Sequence, residues 1–458
     1  MLPNEEMRRH IVTKADKSSA SESRQKYEPS EHKDIGNKAL CKIFERYQLL
    51  KQELDGFIDS ATLVISQEQV QMTAGEWVSL AGDFYGIVNR PISGLPNETI
   101  IFDESKRRFE EAYTTLAGVT QNEKSELNKL LTEIREEERE VAIAKQKGLS
   151  VSKVLHERSA ISNPKYAEIT ANSVIARFLV SQMPLAITGL SIDTRYLSLS
   201  ETNFDHFGND AKTAYRAGHE VALMTAAIAK KFYDDKNFKE WKKYFTRALT
   251  QELFACHFLT DLFSSGHMRV PRKEMVRVLK NYKIAGLLAL IMHNEDGENG
   301  LWVTSRKYGE RWLARGDGCF HDHGVELNKE RAIEAVTNAL NSIYEASVLD
   351  FEKRAKFDFE DYIPTPLPAN ADMNPSPLFV VTDNKINRRN DIYSSKCYNH
   401  ISNWNQIPTL ARLWMFKESA STQVDENKAI DLEKRIEGEV KSDKDNDNET
   451  TKNSCSLL

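Results

Sequence analysis

Apolar positions along the chain recur mostly at three- and four-residue spacing, the period of a helix face. Ile43, Phe44, Tyr47, Leu50 and Leu54 follow this spacing and predict a helix that opens near Glu31. A second helix is predicted over Ser66 to Leu80, ending in the turn Leu80-Ala81-Gly82-Asp83-Phe84-Tyr85-Gly86. Lys106 to Leu116 and Glu123 to Lys147 read as charge-rich helices, with Glu136-Glu137-Glu138-Arg139-Glu140 as a solvated face. Tyr166 to Leu190 is more apolar, is interrupted by Pro184, and reads as a core helix in preference to a membrane-contacting surface. Further helices are predicted over Ala211 to Tyr233, Phe238 to Phe263, Glu274 to His293 and Asn328 to Phe351. The fold class is therefore mainly α, a multi-helix bundle.

The ends and the last third differ. Residues 1–28 and 419–458 are polar and low in apolar residues, so both are expected to be disordered. The main domain spans 29–360, with 103–190 as a helical insertion. Residues 361–418, rich in Pro and Asn, are expected to form an extended, loop-rich segment packing on it.

Composition narrows the function classes. The chain has 458 residues, 40% apolar and 28% charged, enough to bury a large core. A net charge of −6 gives no basic footprint for nucleic acid. Five scattered cysteines without a CxxC pair fit a reduced compartment. Met1 to Tyr27 contains no apolar core of a secretory signal, and the longest clean apolar run, Ala285 to Met292, is far shorter than a membrane span.

Candidate chemistry concentrates between His257 and His267. His257 and Asp261 lie four apart and share one face of a helix, and His267 follows beyond Ser264-Ser265-Gly266. Mixed His and Asp donors at such spacing suit a metal ion. The plainer alternative is a core helix built on Phe254, Phe258, Leu259, Leu262 and Phe263 with incidental histidines. Other candidates are weak singly: His32 at a helix start, Asp83 in its turn, His206 in the polar stretch Asn203 to Asp210, and His293 beside Glu295 and Asp296. His219 lies on the helix after that stretch, and Asp317, His321, Asp322 and His323 form a local cluster read as capping and loop chemistry.

The chain closes on Cys455-Ser456-Leu457-Leu458, which has the C-a-a-X form, with a final Leu that points to geranylgeranylation by a prenyltransferase. No polybasic patch precedes it. One lipid chain anchors weakly, so the folded domain would need its own affinity for membrane.

Four of these pieces together resemble the bacterial zinc-dependent phospholipases C, relatives of the single-strand-specific zinc nucleases. His257, Asp261 and His267 reproduce the family's His-x3-Asp-x5-His helix motif. His32, Ile35, Asn37 and Ala39 match its opening His-x-x-Ile-x-Asn-x-Ala. Ala81-Gly82-Asp83-Phe84 looks like its catalytic-aspartate turn, and His206-Phe207 like its His-Phe loop. The resemblance covers roughly residues 31–90 and 200–350.

The resemblance implies that Asp83, His206, His257 and Asp261 surround one zinc ion. It implies that His267 and His293 hold a second, and that His32 with bridging Asp261 holds a third. Position 297, where the family has the acid of the second ion, is Gly; Asp296, or alternatively Glu295, would substitute. The family completes the third ion with a free α-amino group, whereas thirty-one residues precede His32 here. The implied activity is hydrolysis of phosphatidylcholine-like phospholipids to diacylglycerol and a phosphorylated head group, with Asp83 as catalytic base. Phe84, Tyr85 and Phe204 are candidates for holding the head group. A phospholipid membrane is the expected partner, and nucleic acid is not expected. The absent signal segment and the CaaX-like end suggest an effector translocated into a eukaryotic cell and lipidated at Cys455 there. The competing readings are a zinc nuclease and a non-catalytic prenylated scaffold.

Overall fold

The computed structural model describes residues 28–419 other than 49, 60, 68, 174, 178–179, 181–193, 317 and 322–323. Cys455 and most of both terminal segments lie outside the described residues. The chain divides into two units, residues 23–402 and a second formed by 1–22 with 403–458.

The larger unit is mainly α. Its helices are α1 (Pro29–Arg46), α2 (Ala74–Leu80), α3 (Phe102–Ala117), α4 (Lys124–Gln146), α5 (Val151–Ile169) and α6 (Arg195–Thr202). They continue with α7 (Gly208–Asp234), α8 (Phe238–Asp261), α9 (Arg272–Leu279), α10 (Tyr282–Asn299) and α11 (Glu326–Val348). Antiparallel α7 and α8 form the spine, against which α11, α3, α2 and α1 pack. One apolar cluster runs through all of these, with Trp77, Phe109, Tyr113, Tyr215, Trp241 and Phe254 almost fully buried. Burial of side chains this large contributes the main driving force, about 1.5–3 kcal/mol for each medium-sized residue.

Three small antiparallel sheets decorate the bundle. Strands β1 (Ile58–Asp59), β2 (Val64–Gln67) and β3 (Val70–Thr73) form the first. This corrects the helix expected over Ser66 to Leu80. Ile65 pairs with Met72 on the buried side of the β2–β3 hairpin, and a helix begins only after Thr73. Thr73 Oγ1 accepts from Glu76 N and the Glu76 carboxylate accepts from Thr73 N, a reciprocal cap that starts α2. The second sheet joins β4 (Leu301–Thr304), β5 (Trp312–Ala314) and β6 (Thr365–Pro366). The third joins β7 (Phe379–Thr382), β8 (Lys385–Arg389) and β9 (His400–Ile401). In the smaller unit, the described part contains α12 (Gln406–Ser419), helical where an extended segment is expected.

Three further expectations are corrected. The helix predicted over Glu274 to His293 is two helices, broken at Lys280, whose φ of 52° is left-handed; α10 continues past His293 to Asn299. Within the span 103–190, Phe109 and Tyr113 of α3 and Leu130, Leu131 and Ile134 of α4 belong to the main core. Within the supposed solvated run, Glu137 is fully buried and accepts a hydrogen bond of 2.9 Å from Ser30 N. Its burial raises its carboxyl above the ordinary value. The predicted core helix over Tyr166 to Leu190 ends as α5 at Ile169, and much of the remainder lies outside the described residues.

Candidate metal centre

Five segments converge on one buried spot: the first turns of α1, the turn after α2, the 3-10 turn Phe204–His206, the end of α8, and the single helical turn Ser265–Met268. Each has a local cause. Helices α1 and α2 cross with their backbones in contact, since a Cβ at Gly75 would lie 2.1 Å from Lys33 O. Asn37 Oδ1 accepts from Gly75 N at 2.8 Å, and Ser79 Oγ donates to Pro29 O at 2.6 Å. These bonds fix His32 against the Asp83 turn. In that turn Gly82 has φ +68°, and a Cβ there would stand 3.0 Å from both His206 Cε1 and His257 Cδ2. Only glycine takes that backbone conformation without cost and lets the chain pass the two rings. The 3-10 turn is pinned by Asp205, whose carboxylate accepts from Ile92 N at 2.6 Å and Ser93 N at 2.8 Å. Burial raises Asp205 to about 6, against those hydrogen bonds.

At the centre stands Asp261, with no solvent exposure. Its Oδ2 lies 2.7 Å from His206 Nδ1 and 3.6 Å from His257 Nε2. Its Oδ1 lies 3.1 Å from His267 Nδ1 and 3.8 Å from His32 Nε2. One carboxylate thus presents each oxygen to two imidazole nitrogens. Asp83 Oδ1 lies 3.7 Å from His206 Nε2. Burial would raise the Asp261 carboxyl, but His267, His206 and His257 outweigh it and hold it well below the ordinary range. Burial lowers His32 to about 3, helped by His257, and lowers His206 to about 4 against the pull of Asp261.

The hydrogen bonds fix which ring nitrogens point inward. Thr260 Oγ1 donates to the carbonyls of Cys256 and His257, so at 2.8 Å it accepts from His32 Nδ1–H. The carbonyl of Val78 accepts from His257 Nδ1–H at 2.9 Å. Both rings therefore direct an Nε2 lone pair at Asp261, the outer-shell arrangement that orients metal-ligating histidines.

The donor set fits a divalent ion. The two Asp261 oxygens, completely buried, face imidazole nitrogens and have no other hydrogen-bond partner among the described residues. His206 Nδ1 and His257 Nε2 face each other at 3.2 Å. Ligand atoms about 2.0–2.2 Å from a tetrahedral ion lie roughly 3.3–3.6 Å apart. His206, His257 and Asp261 Oδ2 therefore approximate one face of such a polyhedron. Among the described residues, overlapping groups that could hold an ion include His32–His257–Asp261, Asp83–His206–His257 and His206–Asp261–His267.

Two expected ligands stand apart from this cluster. His293 is buried and its ring centroid is 4.9 Å from that of His267, but it belongs to none of these groups. Its Nδ1 faces Asn294 Oδ1 at 3.1 Å. Asp296 is turned to Arg269, which binds both its oxygens, and Glu295 to Arg389 at 2.7 Å. Neither Arg269 nor Arg389 is signalled in the sequence, because neither shares a local pattern with its partner.

The expected head-group aromatics are all buried. Phe84 packs edge-on against Tyr166 and stacks with Tyr196. Tyr85 carries the Arg195 guanidinium over its face at 4.6 Å. Phe204 packs on Tyr282 instead, with centroids 6.2 Å apart. A small cleft, about 30 Å³ in volume, reaches His206 between Gly82, Tyr85, Arg90, Leu199 and Asp205. No helix among the described residues is long and apolar enough to cross a membrane.

In comparisons with known proteins, no family model, curated protein or solved structure matches this chain.

Proposed function

We propose that this chain is a metal-dependent phosphoric diester hydrolase of the zinc phospholipase C type, acting on phosphatidylcholine-like lipids. The observation that carries the reading is Asp261, buried between four histidine nitrogens with two on each oxygen. A carboxylate so placed suits a bridge between two zinc ions. The ions would be held by Asp83, His206 and His257, by His206, Asp261 and His267, and by His32, His257 and Asp261. An ion near His293 would need a further donor, since the neighbouring acids are engaged by arginines.

Zinc ions held there would neutralise charge on the non-bridging phosphate oxygens and make water a nucleophile near neutral pH. The chain's own residues do the rest. Asp83, at the edge of the cluster, takes the proton from the attacking water. Attack in line on phosphorus breaks the bond to the glycerol oxygen, which leaves and takes up a proton as diacylglycerol. The small cleft beside His206, with Tyr85 and Leu199 on its apolar wall, is the side from which the phosphate would approach the cluster. Thr260 and the Val78 carbonyl keep His32 and His257 in the tautomers that point inward.

The test is metal analysis of the purified full chain together with hydrolysis of phosphatidylcholine vesicles, with and without chelator. Two or three zinc ions per chain and chelator-sensitive release of a phosphorylated head group are expected. A chain without stoichiometric metal overturns the reading, and faster cleavage of single-stranded DNA than of lipid would redirect it to a nuclease.

A further inference from the structure

A second convergence of charge lies outside the imidazole cluster, where α1, α4 and the start of α11 meet. Lys145 Nζ lies 3.1 Å, and Lys329 Nζ 3.0 Å, from the same atom, Nδ1 of His321. A neutral imidazole nitrogen has one lone pair and accepts one strong hydrogen bond, so two ammonium groups compete for it. A third ammonium stands close by: Lys38 and Lys329 each lie 2.8 Å from Asp34 Oδ2.

Among the described residues, two further carboxylates near this spot are engaged elsewhere. Glu31 accepts from the backbone N–H groups of Gly318 and Phe320, and Glu138 is bound to Lys33 at 2.6 Å. Among the described residues Lys145 makes no ion pair with an acid; its hydrogen-bonding partner is His321. Desolvation lowers both Lys145 and Lys329 below the ordinary lysine range. It also lowers His321 to about 3, assisted by the two lysines, so this ring is neutral at physiological pH. Lys145 is exposed and the Lys38 side chain is 46% accessible, so the spot is open to solvent.

We propose that Lys145, Lys329 and Lys38 form a binding site for a phosphate dianion, either inorganic phosphate or a phosphomonoester, seated over His321. A tetrahedral anion offers several acceptor oxygens at once. Each ammonium gains a charge-assisted hydrogen bond, and the competition for Nδ1 ends. Lysine suits this role as a point charge for phosphate. The site uses none of the residues of the imidazole cluster, although Asp34 and Lys38 ride on α1 with His32.

The test uses the full chain with excess chelator, so that no divalent ion can hold phosphate at the histidines. Equilibrium dialysis with radiolabelled inorganic phosphate gives one arm. Co-sedimentation with phosphatidylcholine vesicles, with and without phosphatidic acid, gives the other. About one bound phosphate with a dissociation constant near or below ~1 mM, or sedimentation dependent on phosphatidic acid, is expected. The first outcome alone assigns a soluble phosphate, and the second alone a lipid phosphomonoester. Lys145→Gln with Lys329→Gln should weaken binding at least tenfold, while Lys145→Arg retains it. Circular dichroism checks that the variants are folded. No binding by the parent in either arm up to ~10 mM phosphate, or equal binding by the double variant, overturns the proposal.

Discussion

Arg269 holds both carboxylate oxygens of Asp296, with Nη2 2.6 Å from Oδ1 and Nε 2.8 Å from Oδ2. The pair is buried on the acid side, with Asp296 2% exposed. Bidentate pairs of this kind are among the stronger charge-assisted contacts. Asp296 is three residues beyond His293 and has both oxygens on Arg269, so we predict that it serves as a structural anchor in place of a metal ligand. Asp296→Asn should leave the number of bound metal ions unchanged. It should also cost about 2–4 kcal/mol of stability, because Arg269 keeps its charge in a largely buried place without its counter-ion. Elemental analysis and urea unfolding of the variant check both halves. Loss of one metal ion per chain would restore Asp296 to the ligand set.

Asp83 stands at the rim of the cluster, 3.7 Å from His206 Nε2, whereas Asp261 stands at its middle. Asp83→Asn removes a proton acceptor but keeps the side chain's shape. Lipid hydrolysis should fall by ~10²–10⁴, the usual contribution of a positioned general base. Zinc content should stay near that of the parent, since Asp261 and the histidines remain. Full activity in Asp83→Asn would falsify the base assignment.

The part of this centre visible in the sequence is the part that sits within one helix turn or one short motif. His257 and Asp261 reveal themselves because helical spacing alone puts them on one face, and His32, Asp83 and His206 because each carries a short local pattern. Contacts across long separations leave no such trace. Nothing near Thr260 announces that its hydroxyl will orient His32, 228 positions away. Glu137 sits in a run of charges indistinguishable from a solvated face, and only the arrival of Ser30 N makes it an interior residue. The β2–β3 hairpin hides for a different reason. Over four-residue strands, alternation and helical period predict overlapping apolar positions, and Ile65 opposite Met72 decides the matter only once the strands pair.

Thr260 offers a test of outer-shell control. Its Oγ1 donates to helix carbonyls and so accepts from His32 Nδ1 at 2.8 Å. Thr260→Val has nearly the same volume and cannot accept that bond. The His32 ring then loses its preferred tautomer and orientation. Zinc affinity should fall ~10–100-fold, with little change in secondary structure. Competition against a chromophoric chelator measures it. An unaltered affinity would mean that His32 is held by packing alone.

The α1–α2 crossing predicts a larger effect from a smaller change. At Gly75 an added Cβ would meet Lys33 O at 2.1 Å and Lys33 Cα at 2.7 Å, both backbone atoms that cannot swing aside. Gly75→Ala must therefore push α1 away from α2, and His32 moves with α1. A cost of at least ~1–3 kcal/mol is expected from overpacking, with weakened zinc binding. Gly286→Ala, on α10 with nothing within 4 Å of the new Cβ, should be nearly neutral in both respects. Thermal unfolding of the two variants side by side separates close approach from a general intolerance of alanine.

His219 provides the pH-dependent prediction. It lies on α7 and its Nδ1 is 2.8 Å from Glu252 Oε2 on α8, while Tyr215 donates to Glu252 Oε1 at 3.0 Å. Phe357 covers the ring edge-on, and Glu220 adds a further negative charge. Burial would lower this imidazole, but Glu252 more than offsets it and raises His219 above its ordinary value. The protonated form is therefore favoured in the folded chain. A raised value gives stability that is fully present below the unfolded value of 6.5 and is lost as pH rises through the higher folded value. His219→Gln keeps a neutral donor for Glu252 but cannot take up a proton. The parent should exceed this variant in stability by the largest margin below the unfolded value of 6.5, and the margin should shrink as pH rises through the higher folded value. Urea unfolding of both chains across that range reads the difference directly. A margin that stays flat would show that His219 is neutral throughout and that the α7–α8 contact rests on its packing.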